Sequence, residues 1–340
     1  MNWKFDVMRL HQALVAAARP SGCEHTGIAK VLKEMAAPYV DEITTDAMGY
    51  LICHKKGKGK KVMLCAHMDA IGFMVTGADK WGGLSIAPIG GFDPASLINA
   101  RIVFPNGTRG IIKAKAAAKT LSGGWTSIKM TDLYVDIGAS SEKEAMKKVS
   151  VGDLAVYEGL PQAVAGHKIM GPYADDLIGC VVLLLAMEQL ESSKYDVYFV
   201  FSTQEEVGCR GAKTASLAIK PDIAIATDVC GCDDTPMQDG KNRVIFLGQG
   251  PTVKIKDASV ICSPALNEQL KKIAKKADLT VQDEILLGGG TDTCSMQMSG
   301  PDVMATCVSI PTRYIHSPGE MYDWRDVEQA GALLAAFLKQ

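Results

Sequence analysis

The segment Leu177–Leu190 constrains the fold more than any other part of this chain. Its side chains are apolar almost all the way around, which is typical of a helix that is buried on most sides. The uninterrupted apolar part, Leu177–Met187, is well short of the roughly 20 residues needed to span a bilayer. The strand-like runs Val197–Ser202 and Ile223–Thr227 follow, with the helical segment Gly211–Ile219 between them. This alternation predicts an α/β fold in which helices cover a mixed, mainly parallel sheet.

The same alternation extends toward both ends of the chain. Two helices and two strands are predicted early in the sequence: Arg9–Ala18, Thr26–Ala36, Tyr50–Cys53 and Val62–Ala66. Later come a helix opened by Ser263 and Pro264, a strand at Val303–Val308 and a closing helix at Val327–Leu338. A serine N-cap followed by a first-turn proline is a common start of a helix. These elements belong with the apolar helix in one α/β domain.

A central stretch has a different character. Glycine and proline interrupt it often, and only short β-type runs such as Ala100–Phe104 and Leu133–Ile137 stand between them. Its clearest helix is short and begins at Ser141, with Glu144 completing a capping box. We therefore predict a small β-barrel-like domain of residues 72–165, inserted into a discontinuous catalytic domain of residues 1–71 and 166–340.

Composition narrows the functional class. The 340 residues carry 36 basic and 38 acidic side chains, so there is no basic surface excess for nucleic acid. The segment Met1–Asp6 lacks the basic and then apolar pattern of a signal peptide. The 10 cysteines form no disulfide framework, which is typical of reduced thiols. We expect a cytoplasmic protein without a membrane or nucleic-acid partner.

Acidic and imidazole side chains follow the predicted strands. They are His67 with Asp69, the pair Asp175-Asp176, the pair Glu205-Glu206, Asp228 and His316. Singly, each has an ordinary structural explanation: a hydrogen-bonded core histidine, helix-capping acids or a solvated loop. Together they are more informative, because the carboxyl ends of parallel strands share one edge, where ligands bind.

Such a cluster would repel itself without cations. Its mixed nitrogen and oxygen donors suit two divalent transition ions, zinc or cobalt, rather than calcium or magnesium. Two ions require one bridging carboxylate, and one further carboxylate must stay free as a general base. The pair Glu205-Glu206 supplies one base and one ligand, and Asp69 can fix the tautomer of His67.

The motifs resemble those of the tetrahedral (TET) aminopeptidases, a family of co-catalytic metallopeptidases that includes glutamyl, lysyl and deblocking aminopeptidases and members labelled endoglucanase. The segments that carry the resemblance, in the family's order, are Ser21-Gly22-Cys23-Glu24, His67-Met68-Asp69-Ala70-Ile71-Gly72, Pro88-Ile89-Gly90-Gly91, Ala174-Asp175-Asp176, Gln204-Glu205-Glu206-Val207-Gly208, Asp228, Gly289-Gly290-Thr291-Asp292 and Tyr314-Ile315-His316-Ser317-Pro318. The similarity runs along the whole chain.

The resemblance implies a role for each residue. His67, Asp175 and Asp228 hold one metal, and Asp175, Glu206 and His316 hold the other, with Asp175 as the bridge. Glu205 is the general base and acid that acts on a metal-bridged water, and Asp69 orients His67. The resemblance also implies a zinc-exopeptidase-like fold, peptide substrates, and homo-oligomers built from dimers into a hollow tetrahedral dodecamer.

Three positions depart from the family pattern. The family usually has Glu at the position of Ala70 and Arg at that of Leu177. We hypothesise that these two side chains normally pair, so that losing both removes a polar contact without leaving a buried charge alone. The region Ala116–Lys119 also lacks the Pro-His-Leu run that is common in the family.

Two other functions stay open at this point. A glycoside hydrolase of the endoglucanase type would need two carboxylates beside a sugar and aromatic platforms, whereas only 6% of the residues are aromatic. A catalytically weakened metal-binding homologue is the second alternative, although Glu205 would have no purpose in a purely structural site. Sensitivity to chelators separates the glycosidase from the metallopeptidase.

Overall fold

The structure is a computed structural model that describes residues 6–115, 128–232, 234–237 and 244–340. The departure from the family pattern at Ala116–Lys119 lies outside the described residues. All the motifs that carry the family resemblance lie within them. In the described part of the chain, none of the helices has the length and apolar character that crossing a membrane requires.

Eight helices occur among the described residues. They are α1 (Val7–Ala17), α2 (Ile28–Ala36), α3 (Glu142–Lys148), α4 (Ala174–Gln189), α5 (Arg210–Ile219), α6 (Pro264–Lys276), α7 (Thr293–Gln297) and α8 (Trp324–Leu338).

The strands form two separate sheets. The main sheet contains β1 (Glu42–Thr45), β2 (Leu51–Lys55), β3 (Lys61–His67), β10 (Gln162–Ala163), β11 (Lys168–Gly171), β12 (Asp196–Ser202), β13 (Ile223–Gly231), β14 (Thr252–Lys256), β15 (Gln282–Ile285), β16 (Met304–Arg313) and β17 (Glu320–Asp323). A closed barrel contains β4 (Gly72–Ala78), β5 (Leu84–Ile89), β6 (Arg101–Val103), β7 (Arg109–Ala114), β8 (Leu133–Asp136) and β9 (Leu154–Tyr157).

The main sheet is mixed, with a parallel centre. Strands run in the order β1-β2-β12-β3-β13-β16-β17-β11-β10, and β14 joins at β16 with β15 beyond it. The pairs β12–β3, β3–β13 and β13–β16 are parallel, whereas β1–β2 and β16–β17 are antiparallel. The parallel register places Ser202 opposite His67. The carboxyl ends of the central strands therefore meet at one edge of the sheet.

Helix α4 is the most deeply buried element, as its sequence predicts. Every residue from Ala174 to Met187 is buried, because apolar side chains cover all faces of the helix. It packs against α8 and the central strands. Gly331 permits the close approach of α8, since a Cβ there would lie only 2.8 Å from Cβ of Leu185.

The barrel is antiparallel, with the order β4-β5-β8-β7-β6-β9. Its strands alternate buried and exposed residues, as in Leu133–Asp136. Rings of Phe73, Phe92 and Tyr157 pack together, and Tyr157 stacks on Tyr173 directly before α4. The prediction of a mixed α/β sheet with a barrel-like insert is confirmed. The domain boundaries at 71/72 and 165/166 stay a prediction.

Strand β13 is longer than the sequence predicts, whereas the start of α4 agrees with the prediction. Strand β13 continues to Gly231, so Asp228 lies inside the strand instead of after it, because β13 keeps pairing with β16 as far as Thr312. At the start of α4, Asp175 and Asp176 have non-helical dihedral angles and are joined by a cis peptide bond. Regular helix therefore begins at Leu177.

Candidate metal centre

His67 is the last residue of β3 and is 2% exposed. Its Nε2 lies 3.1 Å from Oδ1 of Asp175. Its Nδ1 lies 3.1 Å from the backbone carbonyl oxygen of Asp69 and 3.5 Å from Oδ1 of the same residue. The carbonyl is therefore the nearer partner for the second ring nitrogen, and it can fix the tautomer that leaves Nε2 free to bind a cation.

The carboxylate of Asp175 lies between two histidines that are far apart in sequence. Its Oδ2 is 3.2 Å from Nε2 of His316, while its Oδ1 faces His67. The second partner of His316 is Glu206, whose Oε1 lies 3.3 Å from the same nitrogen. This arrangement gives Asp175 the position of a bridge between two neighbouring groups of ligand atoms.

Glu320 supports both members of this bridge. One of its carboxylate oxygens accepts the backbone N–H of Asp175 at 2.9 Å, and the other accepts the backbone N–H of His316 at 2.8 Å. His316 itself has a positive φ of 65° in the connection between β16 and β17. Glu320 opens β17 directly after that connection and is 1% exposed, so one buried carboxylate fixes two separate chain segments.

The Glu205-Glu206 turn follows β12, and the side chain of Asp69 fixes its backbone. The Asp69 carboxylate accepts the backbone N–H of Glu205 at 3.0 Å and that of Glu206 at 3.2 Å. Ser21 donates its hydroxyl to the same carboxylate at 2.6 Å. The two glutamates thus have fixed backbone positions beside His67.

Asp228 also lies close to His67. Ligand atoms of His67, Asp176 and Asp228 lie within 4.8 Å of one another, as do those of His67, Asp175 and Glu206. All five residues that sequence analysis proposed as metal ligands are therefore brought to one place. Asp176 joins them, and its Oδ2 also accepts the backbone N–H of His67 at 3.2 Å.

Carboxylates outnumber imidazoles in this cluster, so their charges are not balanced unless a cation is bound. Burial raises the pKa of Glu205 well above its usual range, and the nearby Asp228 carboxylate adds to the effect. Burial likewise raises the pKa of Asp228, with Asp175 contributing next. Burial opposes the positive charge on His316, but hydrogen bonds to Asp175 and Glu206 raise its pKa to about 11. Crowded carboxylates and imidazoles of this kind are the environment in which proteins bind divalent ions.

One buried oxygen atom provides a further test of whether a cation fits. Oδ1 of Asp176 has no hydrogen-bond partner among the described residues. Buried oxygens without partners are costly, and a cation removes that cost. The donor set, imidazole and carboxylate, is one that zinc and cobalt accept.

The cluster lines a cleft of about 550 Å³. Glu205, Glu206 and His316 face it, and Lys254 and Leu287 lie on its walls. The barrel contributes Gly90 and Gly91 to this region. A Cβ on Gly91 would lie 3.6 Å from Nδ1 of His316, and one on Gly90 would lie 3.1 Å from Oε2 of Glu206. The glycines allow the backbone of the barrel to come close to the ligand atoms.

Sequence reasoning missed the roles of several supporting residues. Glu320 carries no motif signal of its own, although its place directly after the turn of His316 could have suggested a supporting role. The sequence pattern indicates only a helix-capping role for Asp176. Glu24 belongs to one of the motifs that carry the family resemblance, and no role is predicted for it, yet its Oε1 accepts the backbone N–H groups of Gln204 at 3.1 Å and Gly22 at 2.9 Å.

Comparison with known proteins places the chain in a family. Residues 49–333 match the family model described as M42 glutamyl aminopeptidase. The lysyl aminopeptidase of Pyrococcus furiosus is 36% identical over 343 residues, which cover 97% of this chain and 96% of that protein.

Solved structures agree with this placement. Aminopeptidase APDkam598 from the archaeon Desulfurococcus kamchatkensis has a TM-score of 0.92 and 34% identity, covering 98% of this chain and 94% of the other. The TET1 peptidase of Pyrococcus horikoshii has a TM-score of 0.86 and 29% identity, covering 98% of this chain and 100% of the other. The resemblance to TET aminopeptidases is thereby confirmed. This chain belongs to the M42 glutamyl aminopeptidase family and is a peptidase.

Proposed function

We propose that this protein is a binuclear metal-dependent aminopeptidase that removes N-terminal residues from peptides. The observation that carries the proposal is the position of the Asp175 carboxylate, which contacts His67 through one oxygen and His316 through the other. His67, Asp175 and Asp228 would hold one divalent ion, and Asp175, Glu206 and His316 would hold the second. Zinc and cobalt suit these donors best.

Two bound cations would supply Lewis-acid chemistry, polarising the scissile carbonyl and making water more acidic. Glu205 is the residue that handles protons. Its backbone is fixed by Asp69, its carboxylate faces the cleft, and it contacts neither histidine through a hydrogen bond among the described residues. We therefore assign it the roles of base toward the attacking water and acid toward the leaving amine.

Asp69 acts as a positioning residue in this proposal. It contacts His67 through its carbonyl and holds the backbone of both glutamates through its carboxylate. Ligand and base therefore keep a fixed separation, which reduces the rearrangement needed during the reaction.

We further propose a homo-oligomer in which dimers assemble into a hollow tetrahedral dodecamer. The support is the P. horikoshii TET1 peptidase, which can assemble into a tetrahedron or a large octahedral shell. In this proposal the inserted domain, residues 72–165, mediates dimerisation and oligomerisation. A cytoplasmic location is supported by the cysteines, which are all free thiols. Light scattering of the purified protein measures the assembly directly.

The test of function is a panel of aminoacyl-p-nitroanilides hydrolysed by metal-free protein to which zinc, cobalt or manganese is returned. We expect no activity in the metal-free protein and recovery with zinc or cobalt. Glu205→Gln should keep two metal ions per chain, measured by elemental analysis, and lose turnover by a factor of about 10²–10⁴. Full anilide hydrolysis in the presence of a strong chelator would contradict a metal-dependent mechanism. Metal binding without turnover on any substrate would favour the weakened homologue.

A further inference from the structure

A second group of potential ligands lies behind the proposed general base. Ligand atoms of Glu205, Cys209 and Asp292 all lie within 4.8 Å of one another. The thiol of Cys294 interacts with the thiol of Cys209. Two sulfur and two carboxylate donors therefore come together, and none of the four belongs to the five proposed ligands of the binuclear centre.

The hydrogen bonds of this group are incomplete. The thiol of Cys209 has one proton, yet it faces both Oε1 of Glu205, at 3.2 Å, and the sulfur of Cys294. Asp292 is 2% exposed, and its Oδ1 has no hydrogen-bond partner among the described residues. Its other oxygen, Oδ2, accepts a hydrogen bond from the hydroxyl of Ser202 and a weaker one from the buried thiol of Cys65. A buried carboxylate oxygen without a donor, next to two thiols, is a position where a cation is stabilised.

The donors are held by secondary structure. Cys209 directly precedes α5, Asp292 directly precedes α7, and Cys294 lies in the first turn of α7. The hydroxyl of Ser295 donates to the backbone carbonyl of Cys209 at 3.0 Å, which ties the two helix starts together. The four donors are thus preorganised, as metal-binding side chains need to be.

We propose that Glu205, Cys209, Asp292 and Cys294 form a third cation site that is selective for thiophilic divalent ions such as zinc or cadmium. Two thiolates and two carboxylates match the four-coordinate geometry and the softer character of these ions, whereas magnesium and calcium prefer oxygen alone. The cysteines are half-buried, so an ion can reach them from solvent. Occupation of the site would withdraw Glu205 from proton transfer and inhibit the enzyme; this consequence rests on the role proposed for Glu205 above.

The binding test uses metal-free protein and cadmium alone. Thiolate bound to cadmium gives a charge-transfer absorption in the ultraviolet, and the histidine and carboxylate ligands of the binuclear centre do not. We expect this absorption in the wild type, with one equivalent of cadmium bound through thiolate. It should disappear in Cys209→Ser/Cys294→Ser and persist in the control Cys232→Ser, which changes another half-buried cysteine.

A second measurement needs no variant. Cadmium or zinc should protect Cys209 and Cys294 of the wild type from alkylation, as read by peptide mass spectrometry, and leave Cys232 unprotected. Absence of the absorption in the wild type, its persistence in the double variant, or equal alkylation of Cys209 and Cys294 with and without metal would each overturn the proposal. The absorption and alkylation measurements do not depend on peptidase activity. They therefore test the third cation site even if the proposed aminopeptidase function is wrong.

The inhibition test uses the cobalt-loaded enzyme with zinc added in excess. Each variant is compared with its own rate before zinc is added. We expect Cys294→Ser to raise the inhibitory zinc concentration on the order of 10- to 100-fold, as loss of a metal partner commonly does, and Cys232→Ser to leave it unchanged. An unchanged inhibitory concentration in Cys294→Ser would show that zinc inhibits elsewhere.

Discussion

The carboxylate of Asp69 accepts the backbone N–H of Glu205, with 3.0 Å between Oδ1 and the nitrogen. The same side chain accepts the next N–H of the turn and the hydroxyl of Ser21. One residue therefore connects the strand that ends at His67 with the turn that carries the proposed base. The hydrogen bonds that the Asp69 carboxylate accepts, more than its charge alone, fix the position of the Glu205-Glu206 turn relative to His67.

Asp69→Asn should therefore reduce turnover while the metal ions stay bound. The amide group has only one acceptor oxygen, so at least one N–H of the Glu205-Glu206 turn loses its partner. We expect kcat to fall on the order of 10- to 100-fold, which is typical of residues that orient metal ligands. Elemental analysis checks the metal content. Ser21→Ala removes a single donor to the same carboxylate and should have a smaller effect; an effect as large as that of Asp69→Asn would contradict this assignment.

Glu320→Ala should weaken metal binding. Its carboxylate holds the backbone of Asp175 and of His316, and removal leaves one buried and one partly buried N–H group without acceptors. We expect metal affinity to drop on the order of 10- to 100-fold in a competition titration with a chelator. Glu328→Ala, on the half-buried face of α8, serves as the matched control. Equal affinities in the two variants would rule out the supporting role of Glu320.

Gly90→Ala should impair activity more than a comparable glycine substitution elsewhere in the barrel. Gly90 has a φ of 86°, and a Cβ there would lie 2.5 Å from Cγ2 of Ile71 and 3.1 Å from Oε2 of Glu206. Gly107 has nearly the same φ, 85°, but a Cβ there would meet nothing within 4 Å. Both alanine variants incur backbone strain on the order of 1 kcal/mol, and only Gly90→Ala should also lower kcat/KM. Equal activity of the two variants would show that close approach of the barrel is unimportant.

Stability should decrease in mild acid because of His11. This side chain is fully buried, and its two ring nitrogens lie 2.9 Å from the hydroxyl of Tyr322 and 2.9 Å from the carbonyl oxygen of Tyr173. Burial lowers its pKa from 6.5 to about 4. The unfolded chain takes up a proton below pH 6.5 and the folded chain does not, so this contribution to folding is lost as the pH falls from 6.5 toward 4.

The expected loss is roughly 3 kcal/mol in the free energy of unfolding across that pH interval. Urea unfolding at several pH values measures it. His11→Asn should flatten the dependence between pH 6.5 and 4, whereas His25→Asn, at an exposed position, should leave it unaltered. A wild-type slope that is identical to that of His11→Asn would argue against the assignment.

Ala70 and Leu177 provide a test of the two departures from the family pattern. Both are completely buried in the same apolar core. Ala70→Glu or Leu177→Arg alone should lower the free energy of unfolding on the order of 3–5 kcal/mol, because each places an uncompensated charge in that core. The double variant should recover part of this loss if the two side chains pair. Denaturant unfolding of the three variants measures these free energies. If the loss in the double variant equals the sum of the losses in the two single variants, the hypothesis that the two side chains pair is contradicted.

Sequence patterns predicted the convergence of the site well, for a physical reason. His67 ends one parallel strand and Glu205 follows another, and parallel strands end at a common edge regardless of the distance between them in sequence. Asp228 needed the structure, because β13 extends past it through continued pairing with β16. The two-sided contact of Asp175 with His67 and His316 likewise depends on side-chain positions that no spacing specifies.

Supporting contacts were harder to predict. Glu320 acts on the backbone N–H groups of Asp175 and His316, and any residue type except proline would offer the same N–H at those positions. The pairing of Cys209 with Cys294 depends on how α5 and α7 begin next to each other. Neither relationship leaves a local periodicity or a composition bias that sequence reasoning can use.

The approach of Gly90 and Gly91 to the ligand atoms has an evolutionary consequence. A module that merely decorated the enzyme could be exchanged, shortened or lost without touching the reaction. Here the connection between β5 and β6 lies beside Glu206 and His316, so a change in that loop also changes the surroundings of the proposed ligands. A barrel grafted from a distant relative would therefore need this loop in its original conformation.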